Sequence, residues 1–258
     1  MRAKDLAHSR SGTAGEAPRP PLSGFGDSPI SCENIHKYPV LLRHTRNSLR
    51  MKQIAESTVR RLSLYLRFLE DYRRQGLETI SSGDLASLGG MTSAQVRKDL
   101  SFFGSFGTRG LGYSVNALAH RIREILGLER EWRVIIVGAG KIGAALAQYR
   151  AFGERGFRIV GVYDVDPARI GVSLDGTIVK DQRELDADLQ SVKPDIVLIA
   201  VPAEAAQPLL ERVTKAGIRG VLNFAPMPLH APSGVTLRAV DMALELELLS
   251  YTLTSAMA

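Results

Sequence analysis

Cysteine is nearly absent. Cys32 is the only one in 258 residues, which excludes an intrachain disulfide and leaves no thiolate set for a metal. No apolar run reaches the roughly 18 residues that a spanning helix needs, and the N-terminus is polar with no apolar segment behind its charges. These absences predict a cytoplasmic chain with neither membrane nor metal as partner. Histidine is also scarce, with three of five (8, 36 and 44) ahead of the first periodic segment and only His120 and His230 beyond it.

The rest of the composition is that of a folded protein, with 45% hydrophobic and 23% charged residues, and the length predicts two modest domains. Charge is unevenly spread. Residues 1–50 carry 8 Lys/Arg against 4 Asp/Glu, residues 51–125 carry 11 against 7, and residues 126–258 carry 14 against 16. An anionic polymer, if bound, is expected to meet the first half.

Residues 1–52 hold scattered Pro, Gly and Ser without apolar period and read as a disordered tail. Met51 stands just before the first periodic segment, and a translation start near it would make the upstream stretch dispensable. From Thr58, Val59, Leu62, Leu66, Leu69 and Tyr72 recur at helical spacing and stop at Gly76. A short helix over Ser82 to Leu88 precedes Gly89-Gly90, and Thr92-Ser93-Ala94-Gln95 has the form of a capping box that starts a third helix at Ser93. Gly104 to Tyr113, with glycines, aromatics and Arg109, reads as a β-hairpin, and Ser114 caps a fourth helix carrying Val115, Leu118, Ile122 and Ile125.

Beyond Trp132, apolar strands alternate with helices: 134–137, 159–163, 196–201, 221–224 and 235–240. This predicts an α/β Rossmann domain with a mostly parallel sheet over residues 131–241. A last helix follows, with Leu244, Leu248, Leu249 and Tyr251.

The first strand runs straight into Gly138-Ala139-Gly140-Lys141-Ile142-Gly143, and a helix opens behind it. A GxGxxG in that context cradles a pyrophosphate: the first glycine makes the turn, the second lets the backbone approach, and the third lets helix and strand pack. The next strand ends at Asp164, 21 residues past Gly143, where a carboxylate accepts from a ribose hydroxyl. Asp164 and Asp166, with no arginine adjacent, favour NAD(H) over its 2′-phosphorylated form. A degenerate empty site, or one for coenzyme A or an adenosyl methyl donor, stays open on these residues alone.

Over residues 53–130, helix, helix, turn, capped helix and Gly-rich hairpin is the order of an N-terminal winged helix-turn-helix domain. The helix from Ser93 would enter the major groove, with Ser93, Gln95, Arg97 and Lys98 toward DNA and Arg109 at the wing tip. An ordinary helical cap is the alternative.

Val96-Arg97-Lys98-Asp99-Leu100-Ser101, Phe103-Gly104-Ser105, Gly107-Thr108-Arg109-Gly110, Gly112-Tyr113, Asn223-Phe224-Ala225-Pro226 and Val240-Asp241 resemble motifs of the bacterial redox-sensing repressor family Rex, in one order over about residues 54–255. The resemblance implies a homodimeric repressor that holds an inverted-repeat operator when NAD+ is abundant and releases it when NADH binds. It further implies that Val201-Pro202 and Asn223 to Pro226 line the nicotinamide end. Arg67, Tyr113 and Asp241 would form the redox relay, and residues 242–258 a helix swapped between subunits. Met242 departs from the aromatic residue that some members carry near the nicotinamide.

A dehydrogenase is the competing reading, and a nucleotide-binding adaptor the third. The enzyme needs a substrate pocket, usually a further domain, and only 18 residues remain after Val240. His230 is the one histidine near the Asn223 loop. A repressor rather than an enzyme is expected.

Overall fold

The computed structural model describes residues 54–104, 106–108 and 111–256. The predicted tail over 1–52, the Met51 start and Arg109 lie outside the described residues.

The first part is helical. Helix α1 (Glu56–Arg74) is followed by β1 (Thr79–Ile80), α2 (Ser82–Gly89), α3 (Ser93–Ser101), β2 (Gly107–Thr108), β3 (Gly112–Ser114) and α4 (Val115–Ile125). Leu62, Tyr65, Leu66 and Leu69 of α1 pack on Leu85, Val96, Leu100, Leu118 and Ile122, the stripe that helical periodicity requires. Val59, expected on that face, is exposed, and Tyr65 is buried instead. The expected hairpin forms as β2 and β3, and β1 adds a third antiparallel strand in the order β1-β3-β2.

The full capping box stands one helix earlier than predicted. Ser81 Oγ accepts from the N–H groups of Gly83 and Asp84, and the Asp84 carboxylate accepts from Ser81 N–H. At α3, Thr92 Oγ1 accepts from Gln95 N–H, but the Gln95 amide turns away to Asp99. Only half the box is made there.

The second part is a seven-stranded sheet of order β10-β9-β8-β4-β5-β7-β6, parallel except for the β6–β7 edge. Its strands are β4 (Trp132–Val137), β5 (Phe157–Asp164), β6 (Ser173–Leu174), β7 (Thr177–Asp181), β8 (Ile196–Ile199), β9 (Gly220–Asn223) and β10 (Thr236–Ala239). Helices α5 (Lys141–Ala147), α6 (Ala151–Glu154), α7 (Leu185–Val192) and α8 (Ala203–Lys215) connect them. Alternation within β4 feeds two cores: Ile135 and Val137 pack on α7 and α8, while Val134 and Ile136 face Leu146 and Phe152 on the other side. The chain order runs outward from β4 in both directions, so β4 marks the topological switch point at which ligands bind in open α/β sheets. Helix α9 (Met242–Ala256) closes the described chain with every residue exposed.

Candidate functional site

The carboxyl ends of β4, β5, β8 and β9 surround a cleft of about 550 Å³. Gly138, at φ +99°, turns the chain out of β4; a Cβ there would stand 2.3 Å from Ala200 O. A Cβ on Gly143 would lie 1.7 Å from Gly138 O, so this position fixes how closely α5 approaches the strand. Gly140 differs. Its backbone is ordinary, and a Cβ would meet only Arg169 Nη1, at 3.6 Å, so what the glycine leaves open is space above the loop. No side chain caps the start of α5, whose first N–H groups face that space.

Asp164 supplies the opposite charge. Its side chain is 5% exposed; Oδ2 accepts from Ala139 N–H at 2.6 Å, and Oδ1 from Asp166 N–H at 2.8 Å. Burial alone would raise its pKa, but those N–H groups and the Arg169 guanidinium outweigh it and hold the carboxyl below its ordinary value. Oδ1 retains a free lone pair for a ribose hydroxyl. Glycine cradle, uncapped helix start and ionised carboxylate together fit an adenine dinucleotide, with loop N–H groups toward pyrophosphate and Asp164 toward ribose.

One expectation needs correction. Arg169 Nη1 lies 3.1 Å from Asp164 Oδ2 and its Nε 3.4 Å from Asp166 Oδ2, so both acids have an arginine. The turn from Asp166 to Ile170 folds it back, which spacing in the sequence did not reveal.

Of the predicted cofactor residues, Gly138, Gly140, Lys141, Ile142 and Asp164 line one side of the cleft and Val201, Pro202, Phe224 and Pro226 the other. Gly143, Ala139, Asn223 and Ala225 act from behind the wall. Asn223 is 1% exposed; its Oδ1 accepts from Ala225 N–H and its Nδ2 donates to Ala225 O and Met227 O, which shapes the loop that presents Phe224. Val165, Asp166, Arg169 and Gln182 also line the cleft and had not been singled out as ligands.

The three relay residues each stand in a different setting within one chain. Tyr113 is half-buried against the helical core, where burial pushes its hydroxyl pKa up. Arg67 is exposed on α1. Asp241 caps α9, its Oδ1 accepting from Ala243 and Leu244 N–H. Among the described residues no hydrogen bond or ion pair joins these three. His230 is exposed, its backbone paired with the Gln207 amide, and does not line the cleft.

On the helical part, α2, the turn at Gly90 and α3 form a helix-turn-helix. Ser93 opens α3 half-buried, while Arg97 and Lys98 are exposed, Arg97 Nη1 donating to Ser82 Oγ at 3.1 Å. Gln95 is half-buried and donates to Asp99 Oδ1 at 2.8 Å, so its amide nitrogen is already engaged. Asp99 is the polar centre of this part and is 2% exposed.

A family model described as "Putative DNA-binding protein N-terminus" matches residues 53–101, and one described as "CoA binding domain" matches residues 129–227. A relative from Carboxydothermus hydrogenoformans, named redox-sensing transcriptional repressor Rex, is 47% identical over 201 residues, 78% of this chain and 97% of its own length. One of the same name from Streptomyces coelicolor is 44% identical over 209 residues, 81% of each chain. Among solved structures, RSP in complex with β-NAD+ and operator DNA is similar at a TM-score of 0.75 and 34% identity, over 79% of this chain and 94% of that one. RSP in complex with β-NADH gives 0.72 and 33%, over 80% and 96%.

Proposed function

The chain belongs to the Rex family of redox-sensing transcriptional repressors, and from that premise we propose that it reads the NADH/NAD+ ratio at its operators. It holds operator DNA with NAD+ or without NADH, and NADH binding releases it. The observation that carries this reading is the likeness to RSP, crystallised with β-NAD+ on operator DNA and with β-NADH, over nearly its whole length. The dinucleotide serves as a signal, and the chain acts as a regulator in the cytoplasm, where bacterial operators lie.

A bound dinucleotide supplies a nicotinamide ring that is positively charged only when oxidised. Asp164 and the Gly138 to Gly143 loop would hold the adenosine and pyrophosphate identically in both states, and identical binding shifts nothing. Discrimination therefore falls to residues that meet the nicotinamide end: Val201, Pro202, the Asn223 to Pro226 loop, and a carboxylate such as Asp241. On the DNA side, Arg97 and Lys98 contact the operator with Ser93 at the start of α3, and Arg109 follows from the wing.

The working unit is a homodimer. Leu244, Leu246, Leu248, Leu249, Tyr251 and Leu253 are all at least half exposed on α9, an apolar surface that a soluble chain covers with a second copy. In this reading α9 is exchanged between subunits and Asp241 meets Arg67 and Tyr113 of the other copy; what supports it is that no hydrogen bond or ion pair joins the three within one chain among the described residues. A two-fold dimer reads an inverted repeat with half-sites about 34 Å apart or a multiple of it.

Selection of bound DNA from a random pool, followed by mobility-shift titration, tests the reading. Retention of an inverted repeat with NAD+ and its release by micromolar NADH are expected. A dinucleotide-indifferent complex, or none, overturns it.

A further inference from the structure

The Arg169 guanidinium occupies the corner where the ribose carboxylate and the phosphate loop meet. It is 3.1 Å from Asp164 Oδ2, 3.4 Å from Asp166 Oδ2 and 3.6 Å from the position a Gly140 Cβ would take. Asp164 Oδ2 already accepts from Ala139 N–H, so Arg169 takes the remaining acceptor site on that oxygen. The free lone pair of Asp164 Oδ1 remains for a ribose hydroxyl, so the guanidinium keeps its place beside the ribose edge, held there also by Asp166, 41% exposed, through Nε.

We propose that Arg169 sets the selectivity of this cleft between dinucleotides with and without a 2′-phosphate. The inference rests on the dinucleotide reading of the site and adds a specificity-determining residue to it. Without Arg169, two carboxylates face the ribose 2′ position and repel a phosphate there. With it, a cation stands within reach, the arrangement by which a nearby arginine accommodates a 2′-phosphate. The cleft therefore penalises NADPH less than its two acids alone would. A ribose hydroxyl bound at Asp164 Oδ1 leaves the Arg169 contact intact, so the arginine acts on the ratio of the two ligands more than on NADH binding itself.

The experiment titrates the full-length protein with NADH and NADPH by nicotinamide fluorescence and compares it with Arg169→Ala and Arg169→Lys. The Kd ratio of NADPH to NADH is expected to rise about fivefold in Arg169→Ala, the size of one partly exposed ion pair, and to stay near the original in Arg169→Lys. Added salt should weaken NADPH more steeply than NADH in the unaltered protein, and that difference should shrink in Arg169→Ala. An unchanged ratio with NADH still bound overturns the role of Arg169 and leaves the dinucleotide site standing. Equal weakening of both ligands overturns it too, placing the arginine against a part they share. Failure of the unaltered protein to bind NADH removes the functional reading as well.

Discussion

Arg61 on α1 holds Asp99 on α3 through two bonds, Nε to Oδ2 at 2.6 Å and Nη2 to Oδ1 at 2.8 Å. Tyr65 OH donates to the same carboxylate at 2.9 Å and the Gln95 amide at 2.8 Å. Every donor but Gln95 belongs to α1, so the carboxylate fixes the helix proposed to read DNA onto the longest helix of that part.

Asp99→Ala is expected to lower stability by about 3 kcal/mol, because the largely buried Arg61 guanidinium loses its partner, while Asp99→Asn keeps the shape and loses the charge. Burial raises the Asp99 pKa, but Arg61, Tyr65 and Gln95 outweigh it and hold the carboxyl below its usual value. Its stabilising contribution is therefore whole above the unfolded value of about 3.9 and is lost as pH falls through the lower folded value. Thermal melts between about pH 5 and pH 2 should show a smaller acid-induced drop in Asp99→Asn than in the parent; parallel drops would contradict this sign.

The glycines of the loop should separate fold from binding. Gly143→Ala places a methyl 1.7 Å from a carbonyl oxygen and is expected to destabilise the Rossmann part outright. Gly140→Ala meets nothing closer than 3.6 Å and should melt like the parent. Its methyl fills the space offered to pyrophosphate, so NADH affinity should fall about tenfold or more, equivalent to about 1.4 kcal/mol. Calorimetric titration beside a melt distinguishes the two variants.

Removal of residues 242–258 takes away α9 and its exposed leucines. Sedimentation analysis should find the shortened chain monomeric and the operator complex lost, since one half-site contributes only part of the binding energy. A truncated chain that still sediments as a dimer would place the interface elsewhere.

Asp241→Ala is expected to leave operator affinity in NAD+ within a few-fold of the parent and to raise the NADH concentration needed for release. The cap on α9 is lost as well, a cost of about 1 kcal/mol. Asp241→Asn, which keeps a capping oxygen without the charge, should reproduce the shift in release if charge is what matters. Mobility-shift titration with each variant reads both.

The cleft was legible because its parts are set by spacing along the chain: strand, glycines at fixed offsets, and the acid at the next strand end. Arg169 was not, since its partner is chosen by a turn that brings residue 169 back over residues 164 and 166. Strands β6 and β7 were missed for a related reason. Both are short, with one apolar residue in β6 and two in β7, and β6 takes its place at the sheet edge only by pairing back on β7. Asn223 and Gln95 show the same limit, as each spends its amide nitrogen on a partner inside the fold that the sequence does not name. Residue type and position announce a polar group but not which neighbour satisfies it.

Helix α1 is fastened near both ends to the α/β part. Arg238 of β10 clamps Glu56 with Nη1 and Nη2, and Arg155 after α6 lies 3.8 Å from Glu70, which Arg123 of α4 also holds. The two anchors are 14 residues apart, about 21 Å along the axis. Over that baseline, a slip of about 1 Å at one anchor with the other fixed turns the rod by about 3°. Projected across the roughly 34 Å between half-sites, the same angle becomes about 1.6 Å, more than a base contact tolerates. An ångström-scale shift at either anchor would thus reach the operator enlarged, through a stiff helix alone.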